Sequence, residues 1–170
     1  MLRLILLRHA KADYPSGITD HDRALTPHGH RQAEAIGKYM ASHDLKPDLA
    51  LVSTARRAQQ TWALALPAFG APVPHQNDGR IYEATVSQLL EVIFDTNDSV
   101  RTLLMVGHNP GFERLASYLT GAGDAQAAAR LQREYPTAGL AVIDFDTHSW
   151  RDVSEGAGHL ERFETLAALS

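Results

Sequence analysis

Residues 4–9 read Leu-Ile-Leu-Leu-Arg-His, and residues 103–108 read Leu-Leu-Met-Val-Gly-His. Each is a short apolar run closed by a histidine. Continuous apolar runs of this length mark strands buried on both faces of a parallel sheet. Such sheets bind ligands in the crevice outside the carboxyl ends of their strands. His9 and His108 are therefore expected at one shared crevice. Arg8 makes that crevice cationic, and the guest it suits is a phosphoryl group. A neutral imidazole can attack phosphorus and carry it as a phosphohistidine, which divides one difficult displacement into two easier ones. The adjacent Arg8 disfavours the protonated ring and so helps keep His9 nucleophilic near neutral pH. Taken alone, a histidine that merely ends a strand would look the same.

Three further segments carry groups that fit this chemistry. Beyond an apolar run at 49–52, the segment Ser53-Thr54-Ala55-Arg56-Arg57-Ala58-Gln59-Gln60-Thr61 puts two arginines on the first turn of a helix. Free N–H groups there also favour anions. Successive helical residues point about 100° apart, so one of the two arginines faces the crevice and the other faces solvent. In Gly107-His108-Asn109-Pro110-Gly111 a strand meets a helix. His108 and Asn109 are placed to contact phosphoryl oxygens, and Gly107 lets backbone approach closely. Glu83, in Ile81-Tyr82-Glu83-Ala84, is a carboxyl just before a helix. It suits a proton donor to a leaving group, or only a partner for the helix N-terminus. Arg23, in the loop after the first strand, is a weaker candidate for substrate contact, with solvent exposure as its alternative.

The elements that must position these groups alternate along the chain. Strand 2–8 is followed by a polar, Asp-rich loop from Lys11 to Leu25. Thr26 suits an N-cap and Pro27 the first helical position, and Ala33, Ile36, Gly37 and Met40 recur at helical spacing, which predicts a helix over 27–42. A strand is expected at 49–52 and a helix from Ala55 to Leu66. The stretch 67–80, rich in proline, is irregular with a short edge strand near Val73. A helix over 85–95, a strand over 101–107 and a helix from Pro110 to about Leu119 follow. Gly121-Ala-Gly123 reads as the end of that helix. Residues 125–134 are expected to be helical and 139–145 a late strand, with Trp150 to Val153 pairing against it as a hairpin. Strands separated by helices imply a three-layer α/β/α arrangement with a mainly parallel central sheet.

Bulk properties narrow the class. With 170 residues the chain is most simply one domain, residues 1–170, with a substantial core. The net charge of −4 gives no whole-molecule basis for binding nucleic acid, so any anion site must be a local concentration of arginine. The chain has no cysteine, which excludes disulfides, thiolate metal sites and a cysteine nucleophile. Met1-Leu2-Arg3 runs directly into a strand, unlike a signal peptide, and no apolar stretch reaches the roughly 18 residues of a membrane span. These features predict a soluble, cytoplasmic protein without membrane or nucleic-acid partners. They leave its oligomeric state open.

Read together and in order over roughly residues 2–120, these segments resemble the histidine phosphatase superfamily, whose fold is phosphoglycerate-mutase-like. Leu7-Arg8-His9-Ala10 is similar to its Arg-His-Gly signature. Ser53 to Thr61 is similar to its Ser-x-x-x-Arg-Ala-x-Gln-Thr pattern, which selects Arg57 over Arg56. Gly107-His108 resembles its second catalytic histidine, and Leu25-Thr26-x-x-Gly29-x-x-Gln32-Ala33 its Leu-Thr-x-x-Gly-x-x-Gln-Ala helix start. The short length, the Arg-His-Ala-Lys-Ala-Asp opening and Asp20-His21-Asp22-Arg23-Ala24-Leu25-Thr26 are most similar to the SixA-type branch, the small phosphohistidine phosphatases. Ala10 replaces the signature glycine and Thr54 stands where proline is common; neither change removes a catalytic group. At Glu83 the resemblance is a short Tyr-Glu-Ala.

The resemblance implies a metal-independent and cofactor-free phosphatase. His9 would be the nucleophile, Arg8, Arg57 and His108 would surround the three equatorial oxygens, and Glu83 would be the acid. The implied substrate is phosphorylated, with phosphohistidine in a protein favoured by the branch. Two rival classes use the same residues: a small-molecule phosphatase or mutase, and a catalytically silent phosphate-binding module. The first should carry a lid. The 24 residues between Glu83 and His108, taken up by one helix and one strand, leave little room for one. The intact set of Arg8, His9, Arg57 and His108 argues against the second.

Overall fold

A computed structural model describes residues 1–166. Its centre is a seven-stranded sheet in the order β3-β2-β4-β1-β6-β7-β5. The strands are β1 (Leu2–Arg8), β2 (Leu49–Val52), β3 (His75–Asn77), β4 (Thr102–Gly107), β5 (Thr120–Gly123), β6 (Leu140–Phe145) and β7 (Gly158–Glu164). β3, β2, β4 and β1 pair in parallel. β6 runs antiparallel between β1 and β7, and β5 closes the far edge parallel to β7. The sheet is therefore mainly parallel, as expected, with an antiparallel insertion at β6.

Residues 4–7 of β1 and 103–106 of β4 are all apolar because both faces are covered, and successive side chains alternate between two cores. Leu4 and Leu6 of β1, and Leu103 and Met105 of β4, enter one core. Helices α3 (Val86–Phe94), α4 (Gly111–Leu119) and α5 (Ala125–Arg133) cover it. Ile5 and Leu7, with Leu104 and Val106, enter the opposite core. Helices α1 (Pro27–Ser42) and α2 (Arg56–Ala65) cover that face through Ile36, Met40, Ala58 and Trp62. Fully burying one such aliphatic side chain is worth roughly 1.5–3 kcal/mol, so the pattern of these strands dictates their central place. No helix among the described residues is long and apolar enough to cross a membrane.

The helix starts follow the sequence closely. Thr26 Oγ accepts the Gly29 N–H at 2.9 Å with Pro27 at the first position. Thr85 and Gln88 form a reciprocal capping box on α3.

Three expectations are corrected. The segment 120–123 is strand β5 rather than a helix terminator. A Cβ on Gly121 would lie 1.9 Å from the Gly156 carbonyl oxygen, so the glycine serves a close backbone approach. Trp150–Asp152 is a short 3-10 turn rather than a hairpin strand. Its indole is fully buried and Nε1 donates to the Val100 carbonyl at 2.7 Å. The strand that pairs with β6 is β7, where a register shift between Val142 and Ile143 breaks the simple alternation. The edge strand expected near Val73 lies two residues later, over His75–Asn77, while Val73 itself is core.

Candidate active site

β1 and β4 are neighbours in register, with Arg8 opposite Gly107, so the residues that follow them emerge side by side. The His9 N–H donates to the Gly107 carbonyl at 3.0 Å, and the His9 and His108 ring centroids are 5.2 Å apart. Gly107 is required at this crossing. A Cβ there would meet Phe112 Cζ at 2.6 Å and Ile81 Cγ2 at 2.7 Å. Both histidines open into one crevice of about 690 Å³, which Arg8, Arg57, Glu83, Arg23 and Asn109 also line. Every residue the sequence singled out for chemistry thus reaches the same cavity wall.

The tautomer of His9 follows from its partners. Nδ1 lies 2.7 Å from the Ala10 carbonyl, an acceptor only, so Nδ1 carries the proton. Nε2 is left with a lone pair, which accepts from Arg57 Nε at 3.3 Å. The Ala10 methyl that departs from the family signature packs into a small core with Leu25, Ala33 and Ala138. Burial pulls His9 down to about 3, with Arg57 and then Arg8 adding to the shift. Arg8 thus helps keep the ring neutral as expected, although desolvation dominates and Arg57 contributes ahead of it.

His108 is also neutral. Burial lowers it to about 3, with His9 and Arg57 next in effect. Its Nε2 lies 2.7 Å from Ser53 Oγ, which also accepts the Ala55 N–H at 3.2 Å. The Ser53 hydroxyl can donate to Nε2 or accept from it, so either ring tautomer satisfies this contact. Nδ1 of His108 is buried without a protein partner, as is Arg8 Nε, while Arg8 Nη1 donates to the Tyr135 carbonyl at 2.9 Å. Buried polar atoms left without a partner are uncommon in native folds, and both of these belong to residues that line the crevice.

Helix α2 separates its two arginines as its geometry requires. Arg57 is buried and Arg56 is exposed. Arg57 Nη1 donates to the Asp20 carbonyl at 2.8 Å and Nη2 to Asp20 Oδ2 at 3.2 Å. Arg23 is not solvated, against its expected alternative. It is 8% exposed, its guanidinium lies 3.5 Å from the Tyr14 ring centroid, and Nη1 donates to Asp20 Oδ1 at 2.8 Å. Asn109 gives Nδ2 to the Tyr135 carbonyl at 2.8 Å and takes the Glu113 N–H on Oδ1 at 3.3 Å. Glu83 is exposed at the lip, with a left-handed backbone at φ 52°.

Several members of the cluster were not legible as site residues. Asp20 is held by Arg23, Arg57 and the Tyr82 hydroxyl, and these donors keep its carboxyl far below the ordinary carboxylate range, Tyr82 most of all. Burial and the facing Asp20 push the Tyr82 phenol up to about 12. Thr54, the departure from proline, meets His21 Nε2 at 2.9 Å and ties the turn bearing Asp20 to the start of α2. Among the described residues no group of three or more His, Asp or Glu side chains is placed to hold a metal ion.

The buried imidazoles set a pH dependence of stability. Both are neutral in the fold but titrate at about 6.5 in the unfolded chain, so the unfolded state binds more protons between about pH 6.5 and 3. Stability should therefore fall as pH falls through that window, by roughly 2 kcal/mol per ring between pH 7 and 5. Denaturant melts at the two pH values check this. Replacing His9 and His108 by asparagine should flatten the difference, and an equally steep loss in the double variant would contradict it.

Comparison with known proteins places the chain in a family and a fold. The model of the histidine phosphatase superfamily (branch 1) matches residues 4–89. An uncharacterized protein of Mycobacterium tuberculosis is 40% identical over 159 residues, covering 92% of this chain and 98% of its own length. A crystal structure from Agrobacterium tumefaciens, provisionally named the phosphohistidine phosphatase SixA, is 32% identical with a TM-score of 0.81 over 96% of this chain and 97% of its own. A protein of Nakamurella multipartitia under the same provisional name is 26% identical with a TM-score of 0.80, covering 96% and 95%.

Proposed function

Because the chain belongs to the histidine phosphatase superfamily, and is therefore a phosphatase, we propose that it works through a phosphohistidine formed on His9, with phosphohistidine in a protein as its substrate. One observation carries this reading. Nδ1 of His9 is locked to the Ala10 carbonyl, which leaves the Nε2 lone pair facing an arginine-lined crevice. In the first step that lone pair forms a bond to phosphorus while the bond to the leaving nitrogen or oxygen breaks, and the leaving group takes the electron pair and a proton. In the second step water attacks phosphorus, the N–P bond breaks with its electrons returning to Nε2, and the proton that water loses goes to the Glu83 carboxylate, which restores the acid spent in the first step.

Phosphoryl transfer depends mostly on positioning and on charge placed around the equatorial oxygens. Arg8, Arg57 and His108 are assigned the role of surrounding those oxygens. Arg23 and Asn109 are outer contacts of the substrate. Glu83, exposed at the lip, is assigned proton donation to the leaving group. An alkoxide needs that help more than an imidazole does, so the site suits a nitrogen leaving group with little assistance from an acid. Helix α3 and strand β4 occupy the stretch from Glu83 to His108, and no lid is inserted there. An open crevice of this kind admits a phosphorylated side chain presented by a protein, and the likeness to the SixA structures supports the same class. The single domain spanning 1–170, the cytoplasmic setting and the independence from metal belong to the same reading.

A substrate panel tests it. A phosphohistidine protein, a sugar phosphate and a phosphoglycerate are compared in the presence of EDTA. The phosphohistidine protein should be turned over fastest, and chelation should change nothing. Preference for phosphoglycerate would favour the small-molecule class instead, and activity lost to EDTA and restored by Mg²⁺ would contradict a mechanism in which arginines supply the charge.

A further inference from the structure

Asp20 sits in the crevice as an anion already seated on the arginine that a phosphoryl group needs. All three Arg57 nitrogens are engaged: Nε with His9 Nε2 at 3.3 Å, Nη1 with the Asp20 carbonyl at 2.8 Å and Nη2 with Asp20 Oδ2 at 3.2 Å. Nε and Nη2 form one edge of the guanidinium fork, the geometry that matches two oxygens of a phosphoryl group. In the free protein one end of that edge covers the lone pair of the nucleophile and the other holds a carboxylate. Both contacts must yield before phosphorus can bond to Nε2 with its oxygens on Arg57.

We infer that Asp20 is a specificity-determining residue: a resident monoanion that a phosphoryl dianion displaces from Arg57 and that singly charged anions do not. The inference rests on the phosphoryl site proposed above. The carboxylate is not what places Arg57, since the backbone carbonyl of Asp20 takes Nη1 and the arginine side chain is buried in the wall. Nor is the carboxylate stranded when it moves. Arg23 Nη1 holds Oδ1 at 2.8 Å, the Tyr82 hydroxyl donates to Oδ2, and the side chain is 48% exposed. The contact with Arg57 Nη2 is the longest of the three.

The displacement is therefore an exchange of anions on a buried cation, which never loses its counter-charge. A buried charge left unpaired would be strongly disfavoured, and the exchange avoids that state. Attraction to the guanidinium grows with ligand charge, so a dianion competes with the resident carboxylate and a monoanion does not. The same carboxylate reseats as inorganic phosphate departs and so weakens product binding.

Calorimetric titration of inorganic phosphate and of formate into the wild type, Asp20→Asn and Asp22→Asn tests the assignment. Asp20→Asn should bind phosphate about tenfold tighter than wild type and should also take up formate. Its KM for an aryl phosphate should fall by a similar factor, with a smaller change in kcat. Asp22→Asn, whose carboxylate lies outside the crevice, should stay within about twofold of wild type. Asp20→Ser carries the same test should the asparagine variant prove unstable. A phosphate affinity that is unchanged or weaker in a folded Asp20 variant, with kcat reduced, would overturn the inference and make Asp20 a positioning residue for Arg57. Failure of the wild type and all variants to bind phosphate would overturn the phosphoryl site itself, and this inference with it.

Discussion

Replacing His9 by alanine should reduce turnover of any phosphorylated substrate by on the order of 10⁴ or more, because the step that forms the covalent intermediate loses its nucleophile. The residual rate would reflect binding, the charge of Arg8 and Arg57, and the contact of neutral His108 with the phosphoryl oxygens. The fold should survive. The ring makes two hydrogen bonds, to the Ala10 carbonyl and from Arg57 Nε, whose guanidinium keeps its contacts with Asp20, and the strand end is held by the His9 N–H on Gly107, which alanine keeps. Removing a buried imidazole that is neutral in the fold should also make the variant less sensitive to acid than the wild type. Activity is measured beside a thermal melt. A His9→Ala protein that melts like the wild type and still turns over within tenfold of it would mean that the imidazole is not the nucleophile.

The second large effect separates two adjacent arginines. Arg57→Ala should cost about 10²–10³ in turnover, the usual consequence of removing one preorganised donor from a charged transition state. Arg56→Ala should cost almost nothing, since that side chain is in solvent. The physical cause is the 100° step between successive helical residues: α2 begins at Arg56, and only the next position turns toward His9. A KM effect with unchanged kcat would place Arg57 in ground-state binding rather than in the transition state. Equal losses in the two variants would contradict the observed direction of the helix.

The parts of this molecule that were legible in its sequence are those with a strict local rule. β1 and β4 are written as continuous apolar runs because both of their faces are buried, and the histidines after them inherit their place from the register of two adjacent parallel strands. Thr26-Pro27 and Thr85 mark helix starts through capping. β7 escaped because a shift in register against β6 disturbs the alternation that would reveal it, and β5 escaped because Gly121 and Gly123 look like punctuation when their role is close packing. Trp150 suggests a strand only until its indole is seen plugging the base of a core. At the site, Arg8, His9 and His108 stood out through residue type and spacing, and Arg57 was told from Arg56 by the family resemblance. Asp20 and Tyr82 did not, and Arg23 was only a weaker candidate, because the loop that carries Asp20 and Arg23 has no periodicity. Their meeting depends on contacts 37 and 62 residues apart, Arg57 to Asp20 and Tyr82 to Asp20.

The central claim is a phosphoryl group held on His9 Nε2, and the most direct measurement is rapid-quench trapping under alkaline conditions followed by intact-mass and peptide analysis. Nitrogen-linked phosphate is lost in acid, so the quench must avoid it. During turnover the protein should carry one phosphoryl group, mapped to the peptide containing His9 and absent from His9→Ala. A phosphoryl group found on another residue, or labelling of the His9→Ala protein at the wild-type level, would contradict the account.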